Sequence, residues 1–197
     1  MGAESFTVAY VPGVTLSKWT RIWAERVPGV PLQLLSTTEP EQTAVLHEGR
    51  ARMSFVRSPV DRQGVHVIPL YTELAVAVAP KEHPVALFDQ VTLADLVDER
   101  RIPGVAITEA MVSVAAGLGI VIVPQSIARL HSRRDLIYRT VTDHPPTQIG
   151  LAWLAEHTSE HIEEFIGIVR GRTVNSSRAN PPAKSSGAAG WGRKRRP

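Results

Sequence analysis

Met111-Val112-Ser113-Val114-Ala115-Ala116-Gly117-Leu118-Gly119-Ile120-Val121-Ile122-Val123-Pro124 is the stretch on which the fold turns. Met111, Val114, Ala115 and Leu118 recur at helical spacing. Thr108, three residues before Met111, is placed to cap that helix. Gly119 suits the left-handed turn that ends it. The period then changes. Ile120 to Val123 is an unbroken β-branched run, the pattern of a strand buried on both faces. Pro124 stops it and Ser126 opens another helix. Helix, glycine turn and buried strand predict half of a parallel α/β unit.

Upstream, Phe6 to Tyr10 reads as a strand, followed by the turn Val11 to Thr15. Leu16, Trp19, Ile22, Trp23 and Val27 line one face of a helix that Pro28-Gly29 ends. Val30 to Leu35 is a second strand and Met53 to Val56 a third, with a helix between them from Pro40 to Gly49. Arg57 to Gly64 reads as a loop. The order βαβαβ predicts a parallel sheet with helices on its faces. Ligands then bind beyond the carboxyl ends of the strands. Leu74 to Ala79 is another buried strand, and Thr92 to Leu96 has the spacing of a capping box before a short helix. Downstream, Leu136 to Val141 and Ile149 to Leu154 are strands, and Ile162, Phe165, Ile166 and Val169 face the core from a last helix.

Composition sets the outer limits. Of the 197 residues, 43% are apolar and 21% charged, enough for a real core. With no cysteine there is no disulfide framework and no thiolate metal site. No apolar run reaches the ~20 residues of a membrane span. Met1 to Ser5 lacks the start of a secretion signal, so a soluble cytoplasmic protein is expected. The net charge of +3 is unevenly spread: eight basic and no acidic residues lie from Arg170 onward, against 14 basic and 19 acidic before it. The core would therefore repel nucleic acid, and the high pI belongs to the tail. Beyond Arg172 the Asn, Ser, Pro, Gly and Ala content predicts disorder.

Glu73-Leu74-Ala75-Val76-Ala77-Val78-Ala79-Pro80-Lys81-Glu82-His83-Pro84, followed by Leu93-Ala94-Asp95-Leu96, resembles the LysR-type transcriptional regulators. So does Val114 to Pro124. Both are typical of that family's effector-binding domain, and the likeness covers roughly Phe6 to Arg170. It implies a type 2 periplasmic-binding-protein fold: two α/β lobes with parallel-rich sheets, joined by two crossovers, with a small effector between them. On this reading residues 1–172 are the effector-binding domain. Lobe one takes about 6–71 and 148–170, lobe two about 72–147, and 173–197 is the basic tail. The family's winged helix-turn-helix normally precedes the domain, and none is expected before a strand that begins at residue 6. About one strand–helix pair is also lacking near Arg101-Ile102-Pro103-Gly104, so either lobe two is trimmed there or residues are absent from the chain. The family often pairs such domains side by side, which implies a homodimer.

The resemblance places effectors at helix N-termini facing the cleft, where free N–H groups and the helix dipole favour an anion. By position the candidates are Gly13, Val14 and Thr15, then Thr37 and Thr38, then Thr108, with Arg57 supplying a charge-assisted bond. The competing reading makes the threonines helix caps and Arg57 a solvated loop residue. Gly117 and Gly119 do not form a dinucleotide fingerprint, since they follow a helix and lack the third glycine. His157 and His161 are four apart, but Thr158 stands where a zinc hydrolase needs glutamate. No nucleophile elbow and no P-loop occur, so neither an enzyme nor a cofactor is expected. Trp19 and Trp23 read as core or interface. The cluster Arg193, Lys194, Arg195 and Arg196, beside Trp191, offers contact to DNA or RNA. The predictions are thus a non-enzymatic small-molecule sensor acting on transcription or, alternatively, a nucleic-acid-associated protein with a vestigial cleft.

Overall fold

The computed structural model of the protein describes residues 5–103 and 106–172. The expectations placed on the tail, 173–197, lie outside the described residues.

The first segment folds as its periodicity requires. Strands β1 (Phe6–Tyr10), β2 (Leu32–Ser36) and β3 (Met53–Arg57) pair in parallel, with β1 in the middle. Alternate residues of these strands serve different cores. Val8 and Phe55 pack with Trp23 of helix α1 (Ser17–Arg26) and Phe165 of α5 (Glu160–Val169), while Ala9 and Val56 pack with Val45 and Leu46 of α2 (Ala44–His47). Both N-terminal tryptophans belong to the first core: Trp23 stacks on Phe6 with ring centroids 4.9 Å apart, and Trp19 on Phe55 at 4.7 Å. The Trp23 indole N–H donates to the Val30 carbonyl at 2.8 Å.

Beyond Arg57 the sheet turns antiparallel. Strand β4 (Val65–Glu73) falls in a segment that carries no clean alternation, because Pro69 interrupts it. A proline is tolerated there because β4 is an edge strand, with its register shifted between Pro69 and Tyr71. The sheet order is β2-β1-β3-β9-β4, with β9 (Thr147–Leu154) antiparallel to both of its neighbours. The second sheet has the order β6-β8-β5-β7, from β5 (Ala75–Pro80), β6 (Gln90–Val91), β7 (Val121–Pro124) and β8 (Leu136–Val141). Only β6 and β8 are parallel in it. The chain crosses between the sheets twice, once between Glu73 and Ala75 and once between Val141 and Thr147.

The stretch Met111 to Pro124 corrects three details. Helix α3 runs Ile107–Ala115, with Ala106 at its start and no side-chain cap, so Thr108 lies inside the first turn. Gly117, not Gly119, ends the helix. It has φ +73°, and the Gly117 and Leu118 N–H groups bond back to the Val114 and Ser113 carbonyls at 2.9 and 3.1 Å. Gly119 serves a close approach instead, since a side chain there would run into the Arg100 carbonyl oxygen. Finally, β7 is an antiparallel edge strand, and only half-buried. Its run is unbroken because both faces meet apolar neighbours: Val121 and Val123 pack with Met111 and Val114, and Ile122 with Ala77 and Leu96.

Candidate functional site

The carboxyl ends of β1, β2 and β3 converge on one buried cation. Arg57 closes β3 and is 2% exposed, so it is not a solvated loop residue. Its Nε donates to Glu73 Oε2 at 2.9 Å, Nη1 to Glu39 Oε1 at 2.6 Å, and Nη2 to the Pro12 carbonyl at 2.9 Å and Ser126 Oγ at 3.3 Å. Gln42 clamps its backbone, accepting from the Arg57 N–H at 2.8 Å and donating to its carbonyl at 3.0 Å. All three guanidinium nitrogens are therefore engaged within the protein. Ser126 lies in the first turn of α4 (Gln125–Leu130), which follows a strand of the second sheet, so the Arg57 guanidinium ties the two halves together.

Gly13 makes this junction possible. It takes φ +90°, and a Cβ there would stand 2.5 Å from Ser126 Oγ and 3.3 Å from Arg57 Nη2. Two open cavities flank the contact. The larger, about 680 Å³, is lined by Tyr10, Val14, Ser36, Ile107, Arg129 and His131, among others. The smaller, about 500 Å³, is lined by Trp19, Tyr71, Glu73 and Gln125. Gly13, Thr15, Ser126 and Arg129 border both. Burial raises the pKa of the Tyr71 phenol; the Glu73 charge raises it further and Arg57 partly opposes this.

Of the residues singled out by sequence, Gly13, Val14 and Thr15 line the larger cavity. The second strand contributes Ser36 to that lining. Thr37 is 5% exposed, with a hydroxyl that has no partner among the described residues, and Thr38 donates to Glu41 Oε2 at 3.0 Å. Ile107 lines the cavity from α3, and the neighbouring Thr108 is exposed. Sequence reasoning missed Tyr10, Arg129 and His131, and took Ser126 only as a helix start. His157 precedes Ser159, the cap of α5, and His161 sits near the Phe6 and Trp23 rings, so the two histidines do not share a helix face. Among the described residues no cluster of His, Asp and Glu could hold a metal ion. None of the described helices is long and apolar enough to cross a membrane.

Two mixed sheets, two chain crossings and a cavity at their junction define the class of two-lobed effector-binding folds. The structure matches the "BenM effector binding domain with its effector benzoate" with a TM-score of 0.74 and 20% identity, covering 91% of this chain and 96% of that one. It matches the H2O2-bound C206S mutant of Corynebacterium glutamicum OxyR at 0.70 and 22%, covering 86% and 68%. At such identities the likeness concerns the fold. The profile of the LysR substrate binding domain matches residues 5–103, and the chain belongs to that family. Two curated relatives are named as activators rather than enzymes. The "Probable hydrogen peroxide-inducible genes activator" of Mycobacterium avium is 26% identical over 184 residues, 78% of this chain and 59% of that protein. The Hca operon transcriptional activator HcaR of Escherichia coli K12 is 22% identical over 205 residues, 87% and 69%. The chain thus spans 59% of the length of the Mycobacterium relative.

Proposed function

We propose that this chain is the effector-sensing part of a transcription regulator, and that its effector is a small organic anion held between the two sheets. The observation that carries the reading is the cavity of about 680 Å³ at the sheet junction, bordered by Arg129 and His131 and by no carboxylate. Tyr10 and Ser36 of the first sheet wall it on one side and helices α3 and α4, packed on the second sheet, on the other, so a ligand there would touch both halves and bias their relative position. That is what a binding event needs in order to be transmitted. The thiol chemistry of a peroxide sensor requires cysteine, and these 197 residues hold none. Ligand binding is therefore favoured over oxidation as the signal. The benzoate named for BenM makes an aromatic carboxylate the first compound to try. Regulators of this family function as oligomers, which favours a homodimer here; contact with DNA or RNA through Arg193, Lys194, Arg195 and Arg196 belongs to the same proposal.

The test is thermal unfolding against a set of organic acids at millimolar concentration. A ligand that binds only the folded form raises the melting point, and raises it further as its concentration exceeds Kd. At least one acid is expected to raise it by several degrees. A set of chemically diverse acids that leaves it unmoved would defeat the reading.

A further inference from the structure

We infer that Arg129 selects the effector's charge, and that the ligand class is an amphiphilic organic acid. Its anionic head meets Arg129, and its apolar body lies against Val14, Ile107 and Leu130. The assignment rests on the reading of the larger cavity as the effector site.

Charge on either side of Arg129 carries the argument first. The larger cavity has three titratable lining residues, Tyr10, Arg129 and His131, and none is a carboxylate. The smaller cavity, which Arg129 also borders, contains Glu73. An anion approaching Arg129 from the larger side meets no lining carboxylate. No carboxylate among the described residues pairs with Arg129. The fork of a guanidinium matches a carboxylate with two parallel bonds.

The mounting of the side chain adds to this. Helix α4 is short but held: the Gln125 N–H donates to the Leu74 carbonyl at 2.9 Å, and Ile127 and Ala128 are buried. Arg129 is exposed, and the backbone that carries it is anchored by these contacts. Leu130 follows it on the same wall, and Val14 and Ile107 extend the apolar lining. The rest of the lining sets these apolar side chains among the hydroxyls of Tyr10, Thr15, Ser36 and Ser126, and a cationic region beside a partly apolar wall fits an acid with an apolar body.

The experiment measures the full chain, at low salt, against benzoate, phenylacetate and hexanoate, each beside its uncharged amide. In the wild type the acids are expected to bind about tenfold more tightly than the amides, the modest ratio suited to a solvent-exposed cation. Arg129→Gln is expected to cost the acids about that factor and leave the amides unchanged. Arg129→Lys, which keeps the charge and loses the fork, is expected to retain part of the preference. Far-UV circular dichroism of both variants establishes that they fold. If acids and amides bind the wild type alike, or Arg129→Gln keeps the preference, the role of Arg129 is overturned while the cavity remains the effector site. If no compound binds at all, the cavity reading falls and takes this assignment with it.

Discussion

Arg57→Met strands Glu73, a carboxylate only 7% exposed, without the guanidinium 2.9 Å away. Breaking a buried ion pair by removing one partner costs far more than the pair is worth, because the remaining charge stays desolvated. The loss expected in urea unfolding is about 3–5 kcal/mol. Adding Glu73→Gln should return part of it, since a neutral amide is cheaper to bury than a lone carboxylate. A loss under about 1 kcal/mol would mean that water reaches Glu73 and the pair behaves as a surface one. Little of this is legible at the residue scale. Arg57 in sequence is a cation after an apolar run, and its partners Glu39, Glu73 and Ser126 stand far from it along the chain. Gly13 was legible as part of a turn. That its missing side chain makes room for Ser126 was not.

Among the elements, the capping box at Thr92 shows where local chemistry suffices. The Thr92 N–H and hydroxyl both donate to Asp95 Oδ2, at 2.8 and 2.7 Å, and the Asp95 N–H donates to Thr92 Oγ1 at 3.3 Å. The spacing predicts this bond set, and a short helical turn over Ala94–Leu96 follows it. These bonds, the backbone one first, hold the Asp95 carboxyl below its usual value. A carboxylate so depressed in the folded state stabilises it above the unfolded value of about 3.9. That contribution disappears as pH falls through the folded value. Wild type and Asp95→Asn should therefore diverge in their acid behaviour: wild type loses more stability below about pH 4, and the two run parallel above it. Parallel curves throughout would show that the bonds do not persist in solution. Edge strands are the opposite case. Period-2 alternation encodes a strand with one face in a core, and neither β4, broken by Pro69, nor β7, apolar on both faces, displays it. Strand direction is not written in periodicity either, so the antiparallel pairing of β7 with β5 had no local signal.

At the scale of the whole molecule, the cavity draws on Tyr10 to Thr15, Ser36, Ile107 and Ser126 to His131. Separated segments of this kind meet only through topology, so the spacing of residues within any one of them carries no sign of the cavity. Charge, by contrast, needs no topology to be read. The first 169 residues have five more acidic than basic residues, and the remainder carries eight basic residues and no acidic one. Any nucleic-acid affinity of the full chain should then come from the end that holds Arg193, Lys194, Arg195 and Arg196. Four phosphate contacts would release counterions and give a slope of about −3 to −4 for log K against log salt on duplex DNA. Replacing all four residues by glutamine in the full chain should flatten that slope toward zero, and should do so equally on unrelated sequences, because phosphates carry no base identity. An unchanged slope would move the contact elsewhere in the chain. A slope abolished on one sequence alone would point to base recognition instead of backbone attraction.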